Sequence, residues 1–230
     1  MQEPTVVMER AQESLVCAGS ACSVCRGGPL AGFRVVGGRE YLRCPHCEAT
    51  IMAQASWLGP DEERAVYGLH HNEPGDPGYR AFLNKLALPL LDLIESGSSG
   101  LDFGCGPGPA LAEMLREAGM DVTLYDPFFY PSQAALGRQY DFITCTEVVE
   151  HLHSPEKVFS QLDGLLKPGA WLGIMTCFQT CDDRFDNWHY RRDPTHVVFY
   201  REVTLALLGK RLGWTMSVPR KDVVIFRKPL

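Results

Sequence analysis

A glycine-rich turn at residues 101–108, Leu-Asp-Phe-Gly-Cys-Gly-Pro-Gly, constrains the fold of this chain most strongly. An apolar run precedes the turn, a helix-like segment follows it, and an acidic residue, Asp126, comes after a second apolar run. Gly104 and Gly106 allow the backbone to turn tightly and approach a ligand, and Asp126 is placed to accept hydrogen bonds from ribose hydroxyls. This order of a strand, a glycine turn, a helix and an acidic residue farther along the chain predicts an α/β domain with a site for a nucleotide-type cofactor.

The spacing of the glycines narrows the choice of cofactor. A dinucleotide-binding turn has the pattern G-x-G-x-x-G. Here Pro109 stands at the third glycine position if the count begins at Gly104, and Leu111 stands there if it begins at Gly106. The turn therefore departs from the dinucleotide pattern.

The run from Asp102 to Gly108, D-x-G-x-G-x-G, resembles the first motif of class I S-adenosylmethionine-dependent methyltransferases. Residues 140–145, 147–152 and 165–170 resemble, in order, the fourth strand of that family, the helix after it and the turn into the fifth strand. The resemblance implies S-adenosylmethionine as cofactor. The cofactor-binding residues that it implies are Asp102, Gly104, Gly106, Gly108, Asp126, Pro127 and Phe128.

Strand and helix patterns alternate through the second half of the chain. They predict strands at about 98–103, 121–125, 140–145, 170–176, 213–219 and 221–228, and helices near 108–118, 154–166 and 201–211. Such alternation predicts a Rossmann-like, mostly parallel sheet with helices on both faces and a final antiparallel hairpin. Only residues 127–139 separate Asp126 from the next strand, so a strand and helix usual in methyltransferases are shortened or lost. The aromatic residues 128–130 either stack on adenine or cover the exposed sheet edge.

Four of the nine cysteines form two C-x-x-C pairs, Cys22 with Cys25 and Cys44 with Cys47. This spacing suits a four-cysteine zinc ribbon, and a redox role is less consistent with two such pairs outside a thioredoxin-like context. We predict a structural zinc ion, because so small a segment cannot hold a core unaided. The predicted division is a tail at 1–16, the zinc ribbon at 17–58, a linker and helix at 59–96, and a methyltransferase domain at 97–230.

A second group of polar residues follows the fourth predicted strand. On a helix, Glu147, Glu150 and His151 would project from one face near the substrate-binding end of the sheet. The E-x-x-E-H arrangement resembles that of small-RNA 3′-terminal 2′-O-methyltransferases and of ubiquinone-pathway O-methyltransferases. In the RNA enzymes a later histidine completes a metal site, within a stretch resembling residues 192–200, which makes His196 a fourth ligand candidate. The alternative is a metal-independent site in which His151 or His196 is a general base.

Further candidates lie on either side of these motifs. Residues 69–80 resemble the segment of ubiquinone-pathway O-methyltransferases in which an arginine holds the cofactor carboxylate, so Arg80 is a cofactor-binding candidate or an ordinary surface residue. The helix after this segment, predicted from about Tyr79 to Glu95, has leucines at helical spacing that would pack on the sheet. His153, Trp188, His189 and Tyr190 are additional pocket candidates.

Net charge and composition limit the partners. A formal charge of -6 and a pI near 5.6 disfavour a broad nucleic-acid surface, although a local cluster of Arg184, Arg191 and Arg192 leaves RNA open. The chain begins without a secretion signal, and we expect a cytoplasmic protein with no membrane association. Three functions remain open: methyl transfer to a small-molecule hydroxyl, which we prefer; RNA 2′-O-methylation; and a non-catalytic cofactor-binding protein whose ribbon docks a protein partner.

Overall fold

A computed structural model describes residues 18–69 and 73–230; residues 1–17, which include the predicted tail and the first residue of the predicted ribbon, and residues 70–72 lie outside the described residues. The described residues form ten strands and six helices. In chain order they are β1 Ala31–Val36, β2 Arg39–Arg43, β3 Thr50–Met52, α1 Pro60–Tyr67, α2 Pro77–Leu91, β4 Ser99–Phe103, α3 Ala110–Glu117, β5 Asp121–Tyr125, β6 Tyr140–Thr146, α4 Pro155–Leu165, β7 Leu166–Met175, α5 His189–Arg192, β8 Val198–Phe199, α6 Glu202–Leu212, β9 Thr215–Arg220 and β10 Val223–Arg227.

The larger sheet has six strands in the order β5-β4-β6-β7-β10-β9. Its first four strands are parallel, and β10 runs antiparallel to both β7 and β9. Neighbouring residues of β6 point to opposite faces, so Phe142 packs with α2 and α3 while Ile143 packs with α4 and α6. The predicted parallel sheet, covered on both faces and ending in an antiparallel hairpin, is confirmed.

Strand β5 is an edge of this sheet. Between Asp126 and Tyr140 the chain forms only one short 3-10 turn, Ala135–Gly137, in place of a strand and helix. The predicted loss of that element is therefore confirmed. One side of the cofactor region is thus a loop, residues 126–130, closed by paired backbone hydrogen bonds between Asp126 and Tyr130.

The N-terminal cysteines belong to a second, four-stranded sheet in the order β1-β2-β3-β8. Its last strand comes from the other half of the chain, because β8 pairs with β3 through Thr50↔Phe199 and Ile51↔Val198. The ribbon boundary at residue 58, placed from the two cysteine pairs, stays a prediction. The sheet that contains the ribbon also includes β8, and the apolar core continues into residues far along the chain.

The segment between the two sheets contains more helix than predicted. Helix α2 begins at Pro77 and ends at Leu91, so Leu93 falls beyond it and is exposed, whereas Leu86 and Leu90 are fully buried. Helix α1 was not predicted, although Pro60 at its first turn is a typical start signal. No helix in residues 18–69 or 73–230 has both the length and the apolar character that crossing a membrane requires.

Candidate active site

A cavity of about 480 Å³ opens at the carboxyl ends of β4, β5 and β6. Ligands of open α/β sheets bind at this edge. Its lining combines the glycine turn, the ends of these strands, aromatic residues from α1 and α2, and the α5 region. The lining residues are Tyr67, Tyr79, Leu83, Asp102, Gly104, Cys105, Gly106, Pro107, Gly108, Pro109, Ala110, Leu111, Asp126, Phe128, Phe129, Thr146, Glu147, Val148, His151, His189, Tyr190, Asp193 and His196.

The glycine turn has the backbone geometry that its sequence predicts. Gly104 and Gly106 have φ values of 77° and 63°, in the left-handed region that favours glycine. A Cβ atom at Gly104 would lie 2.5 Å from Cγ2 of Val148, so no larger residue fits beneath the turn. The turn therefore lies close against the segment that carries Glu147 and His151.

Asp126 connects the glycine turn to the loop after β5. Its Oδ2 accepts a hydrogen bond from the Gly106 N–H at 3.1 Å, and its Oδ1 accepts from the Phe128 and Phe129 N–H groups at 2.8 and 3.0 Å. The carboxylate thus fixes both walls of this part of the cavity. Pro127, in contrast, is not a lining residue.

Asp102 lies beneath the glycine turn. It is only 4% exposed, and the Thr144 hydroxyl donates a hydrogen bond to its Oδ1 at 2.8 Å. Burial raises the pKa of the Asp102 carboxyl to about 6, although the bond from Thr144 acts in the opposite direction. Ionisation of Asp102 therefore lowers the stability of the folded chain.

We expect Asp102→Asn to stabilise the cofactor-free protein by about 1–3 kcal/mol above about pH 7. Because the folded-state pKa is raised above the unfolded one, wild-type stability falls as pH rises through about 6. The difference in stability between variant and wild type should vanish below about pH 4, where the Asp102 carboxyl is protonated in both the folded and the unfolded wild-type protein. Urea unfolding across this range measures it.

Asp141→Asn is the matched control. Partial burial raises the pKa of Asp141, but hydrogen bonds from Lys167 and Ser99 outweigh that effect and hold it below the ordinary value. This substitution should therefore destabilise the protein above about pH 4, with the opposite sign to Asp102→Asn. Two variants with the same sign would contradict the assignment of a burial cost to Asp102.

Two histidines face one another in the cavity. Their ring centroids lie 4.6 Å apart with an interplanar angle of 74°. Nδ1 of His151 lies 3.2 Å from the Thr195 carbonyl oxygen, and Nδ1 of His196 lies 2.7 Å from that of Tyr190. A carbonyl only accepts, so each Nδ1 carries the donated proton, and in the neutral form of either ring the lone pair is on Nε2. Nε2 of His151 lies 3.9 Å from Oε1 of Glu150, and Nε2 of His196 lies 3.8 Å from Oδ2 of Asp193.

Glu150 is fully buried beside this pair. The Tyr190 hydroxyl donates to its Oε1 at 2.5 Å, and the Thr176 hydroxyl donates to its Oε2 at 3.0 Å. Burial raises the pKa of Glu150 to about 7. Burial and repulsion by Glu150 raise the pKa of Glu147 to about 9.

The predicted helix carrying Glu147, Glu150 and His151 on one face is wrong. Glu147 has φ 53°, which is outside the right-handed helical region, and only a single 3-10 turn, Val149–His151, follows it. Glu147 lines the cavity separately. Glu150 and His151 are instead brought together with His196, with one potential ligand atom from each within 4.8 Å of the others.

Some of the remaining predicted site residues line the cavity, and others lie outside it. Arg80 is not a lining residue; its guanidinium pairs with Glu117 of α3 and donates to the Pro74 carbonyl, so its predicted role with the cofactor carboxylate is not retained. His189 and Tyr190 line the cavity, whereas His153 and Trp188 do not.

Tyr67 and Tyr79 are lining residues that the sequence did not reveal. The Tyr67 ring lies edge-on to that of His151, with centroids 5.3 Å apart, and 5.6 Å from that of Phe128. Tyr67 is the last residue of α1. Pro60 and the acidic residues after it are signals for the start of this helix, but they do not indicate that its last residue reaches the cavity.

The four ribbon cysteines form one buried cluster outside the cavity. Sγ of Cys22 lies 3.7 Å from that of Cys47, and Sγ of Cys25 lies 3.6 Å from that of Cys44. Tetrahedral zinc with Zn–S bonds of about 2.3 Å requires sulfurs about 3.8 Å apart. The two knuckles also repeat one backbone turn, with φ 56° at Arg26 and 60° at Glu48. Geometry and donor type thus fit a zinc ion.

We expect the purified protein to contain about one zinc ion per chain, and Cys44→Ser to reduce that content strongly. The cause is the loss of one of four thiolate ligands. Elemental analysis of both proteins measures it. Cys181→Ser is the matched control, because Cys181 lies outside the cluster. Equal zinc in all three proteins, or none in the wild type, would contradict this assignment.

A parallel sheet with a glycine turn after one strand and an acidic residue after its neighbour, both at one cavity, defines the class I methyltransferase fold. The chain belongs to the methyltransferase domain family, whose model matches residues 72–217.

Similar proteins include ubiquinone biosynthesis O-methyltransferases. The one from Bordetella avium is 30% identical and the match covers 41% of this chain and 50% of the relative. The one from Salmonella newport is 33% identical, covering 38% and 47%. This chain therefore spans about half the length of the curated relatives it matches. Among solved structures, the 1,6-didemethyltoxoflavin-N1-methyltransferase of Burkholderia thailandensis matches with a TM-score of 0.49 and 16% identity, covering 87% of this chain and 100% of that one.

Proposed function

We propose that this protein transfers the methyl group of S-adenosylmethionine to a hydroxyl group of an uncharged aromatic small molecule. The observation that carries the proposal is the pair of histidines, His151 and His196, whose Nδ1 atoms are tied to carbonyl oxygens in the cavity that contains the glycine turn. Such a tautomer presents a proton-accepting Nε2 atom near a bound methyl donor.

The cofactor supplies a methyl group already activated by its sulfonium centre. The residues that would hold it are Gly104, Gly106 and Gly108 of the turn, Asp126 and the ring of Phe128. The positive φ of Gly106 and the three N–H groups collected by Asp126 support this assignment, because both keep backbone close to the ligand.

The protein's remaining task is to align the hydroxyl and remove its proton. We assign the proton to Nε2 of His151, whose ring orientation the Thr195 carbonyl fixes. Tyr67 and Tyr190 are aromatic lining residues of the cavity, and aromatic rings suit a flat aromatic acceptor. The ubiquinone biosynthesis relatives are named O-methyltransferases, which agrees with an oxygen acceptor.

The charge of the lining favours an uncharged acceptor over RNA. Within the described part of the chain, the cavity lining contains four acidic residues and no lysine or arginine; the acidic residues are Asp102, Asp126, Glu147 and Asp193. Phosphate groups depend on contacts from lysine and arginine. Arg191 belongs to the arginine cluster that left RNA open as a substrate. Its guanidinium instead donates hydrogen bonds to the backbone carbonyls of Phe185 and Asp186.

A second version of the mechanism uses a divalent ion. Glu150, His151 and His196 each offer one potential ligand atom, and these three atoms lie within 4.8 Å of one another. Metal-binding histidines usually donate their other ring N–H to a carbonyl or a carboxylate, as the Nδ1–H groups do here. A bound ion would lower the pKa of the substrate hydroxyl. Both oxygens of Glu150 already accept hydrogen bonds from Tyr190 and Thr176, so we favour the histidine base.

The test is formation of S-adenosylhomocysteine with catechol, with a catechol carrying a phosphate group, and with a short RNA oligonucleotide, each with and without a chelator. Turnover of catechol alone, insensitive to a chelator too weak to remove the ribbon zinc, is the expected result. Turnover that stops on chelation and returns with magnesium or manganese would support the metal version. RNA turnover that falls steeply with salt would overturn the small-molecule assignment, and cofactor binding without any turnover would favour the non-catalytic alternative.

A further inference from the structure

We propose that the zinc ribbon is a positioning element of the histidine pair, so that zinc binding at the cysteines sets the geometry of His196 and Glu150. The backbone of Val197, next to His196, links the two regions. Its carbonyl accepts a hydrogen bond from the Met52 N–H of β3, and its N–H donates to the Glu150 carbonyl, both at 2.8 Å. One peptide segment thus connects the ribbon with the turn that carries Glu150 and His151.

Strand β8 begins directly after Val197 and has two residues. It is the last strand of the ribbon sheet, where it pairs with β3. So short a strand depends on its partner for its position. The position of His196, two residues before β8, therefore follows that of β3.

The cysteine knuckle in turn determines the position of β3. Cys44 follows the last residue of β2, and Thr50 begins β3, so residues 44–49 form the turn between these strands. The Cys44 N–H donates to the Ala49 carbonyl at 3.0 Å. The Thr204 hydroxyl of α6 donates to the Cys47 carbonyl at 2.7 Å. Zinc at Cys44 and Cys47 would hold this turn closed at the base of β3.

The cofactor side of the cavity is built differently. The glycine turn and Asp126 follow β4 and β5, at the edge of the large sheet. Two hydrogen bonds join these segments to each other, from the Gly106 N–H to Asp126 and from the Gly104 N–H to the Tyr125 carbonyl at 2.7 Å. Loss of the ribbon metal should therefore disturb the histidine side and preserve the cofactor side.

The experiment compares wild type, Cys44→Ser and the control Cys181→Ser by hydrogen exchange, by calorimetric titration with S-adenosylmethionine, and by turnover. In Cys44→Ser we expect exchange of amides 195–199 to become faster by about tenfold or more, with cofactor affinity within about threefold of wild type. The value of kcat should fall by about tenfold or more. Cys181→Ser should match wild type.

Thr204→Val gives a second test, because it keeps all four cysteines and removes the bond to Cys47, together with the bond that the Thr204 hydroxyl accepts from the Arg201 N–H at the start of α6. Exchange of the same amides should become faster while zinc remains bound. Unchanged exchange at 195–199 in zinc-free Cys44→Ser would overturn the proposal, and so would loss of cofactor binding together with general loss of protection. The turnover readout rests on the proposed function, whereas exchange and affinity do not, so failure of the two ideas is distinguishable.

Discussion

Replacing His151 with glutamine is expected to lower kcat by about 10²–10⁴ and to leave the affinity for S-adenosylmethionine within about threefold of wild type. Glutamine can still donate to the Thr195 carbonyl, but its amide has no basic nitrogen to accept the proton of a hydroxyl. The residues assigned to the cofactor remain unchanged. Turnover at saturating catechol and calorimetric titration with the cofactor measure the two effects separately.

His153→Gln is the matched control, since it replaces a histidine two positions away. The His153 ring packs on Trp57, with centroids 4.3 Å apart, and does not line the cavity. Its kcat should remain near wild type. A His151→Gln enzyme with wild-type kcat would refute the base assignment, and parallel loss of cofactor affinity would show that His151 shapes the cofactor side.

Asp126→Ala is expected to weaken binding of S-adenosylmethionine by about 10–100-fold, equivalent to about 1.5–3 kcal/mol. The substitution removes the acceptor of three backbone N–H groups, from Gly106, Phe128 and Phe129, together with the carboxylate predicted to bind ribose hydroxyls. The glycine turn and the loop after β5 would no longer be held at a fixed distance from each other. Calorimetric titration of the variant measures the change.

Asp121→Ala is the control for this experiment, because Asp121 is an exposed carboxylate at the other end of β5. It should bind the cofactor as wild type does. Asp126→Asn retains an acceptor oxygen and should give an intermediate affinity. Wild-type affinity in Asp126→Ala would exclude this carboxylate from the cofactor site.

Local patterns predicted the glycine turn and the elements around it well. Glycine positions that require positive φ, an acidic residue after an apolar run, and alternating strand and helix patterns are properties of neighbouring residues. Strand β5 was predicted with its observed bounds, and the short segment from Asp126 to Tyr140 correctly indicated a missing strand and helix. The paired cysteines were likewise recognisable from spacing, and the structure gathers all four.

The other side of the cavity was predicted less well. A helix through Glu147 was inferred from the order of residues, but a left-handed residue there ends strand β6 abruptly and separates Glu147 from Glu150. Arg80 was assigned by resemblance, and the nearby acid Glu117 gives its guanidinium a different partner. Tyr67 was missed because its contribution depends on how α1 packs over His151.

The sequence by itself thus determined the parallel sheet, the glycine turn with its acid, and the two cysteine knuckles, because each depends on backbone preferences or spacing within a short segment. Only the tertiary structure decided that His151 and His196 face each other, and that β3 of the ribbon pairs with the strand that follows His196. Those relations join residues far apart in the chain through β3–β8 pairing and the bonds of Val197. Long-range pairing depends on how packed elements meet, which no local pattern specifies.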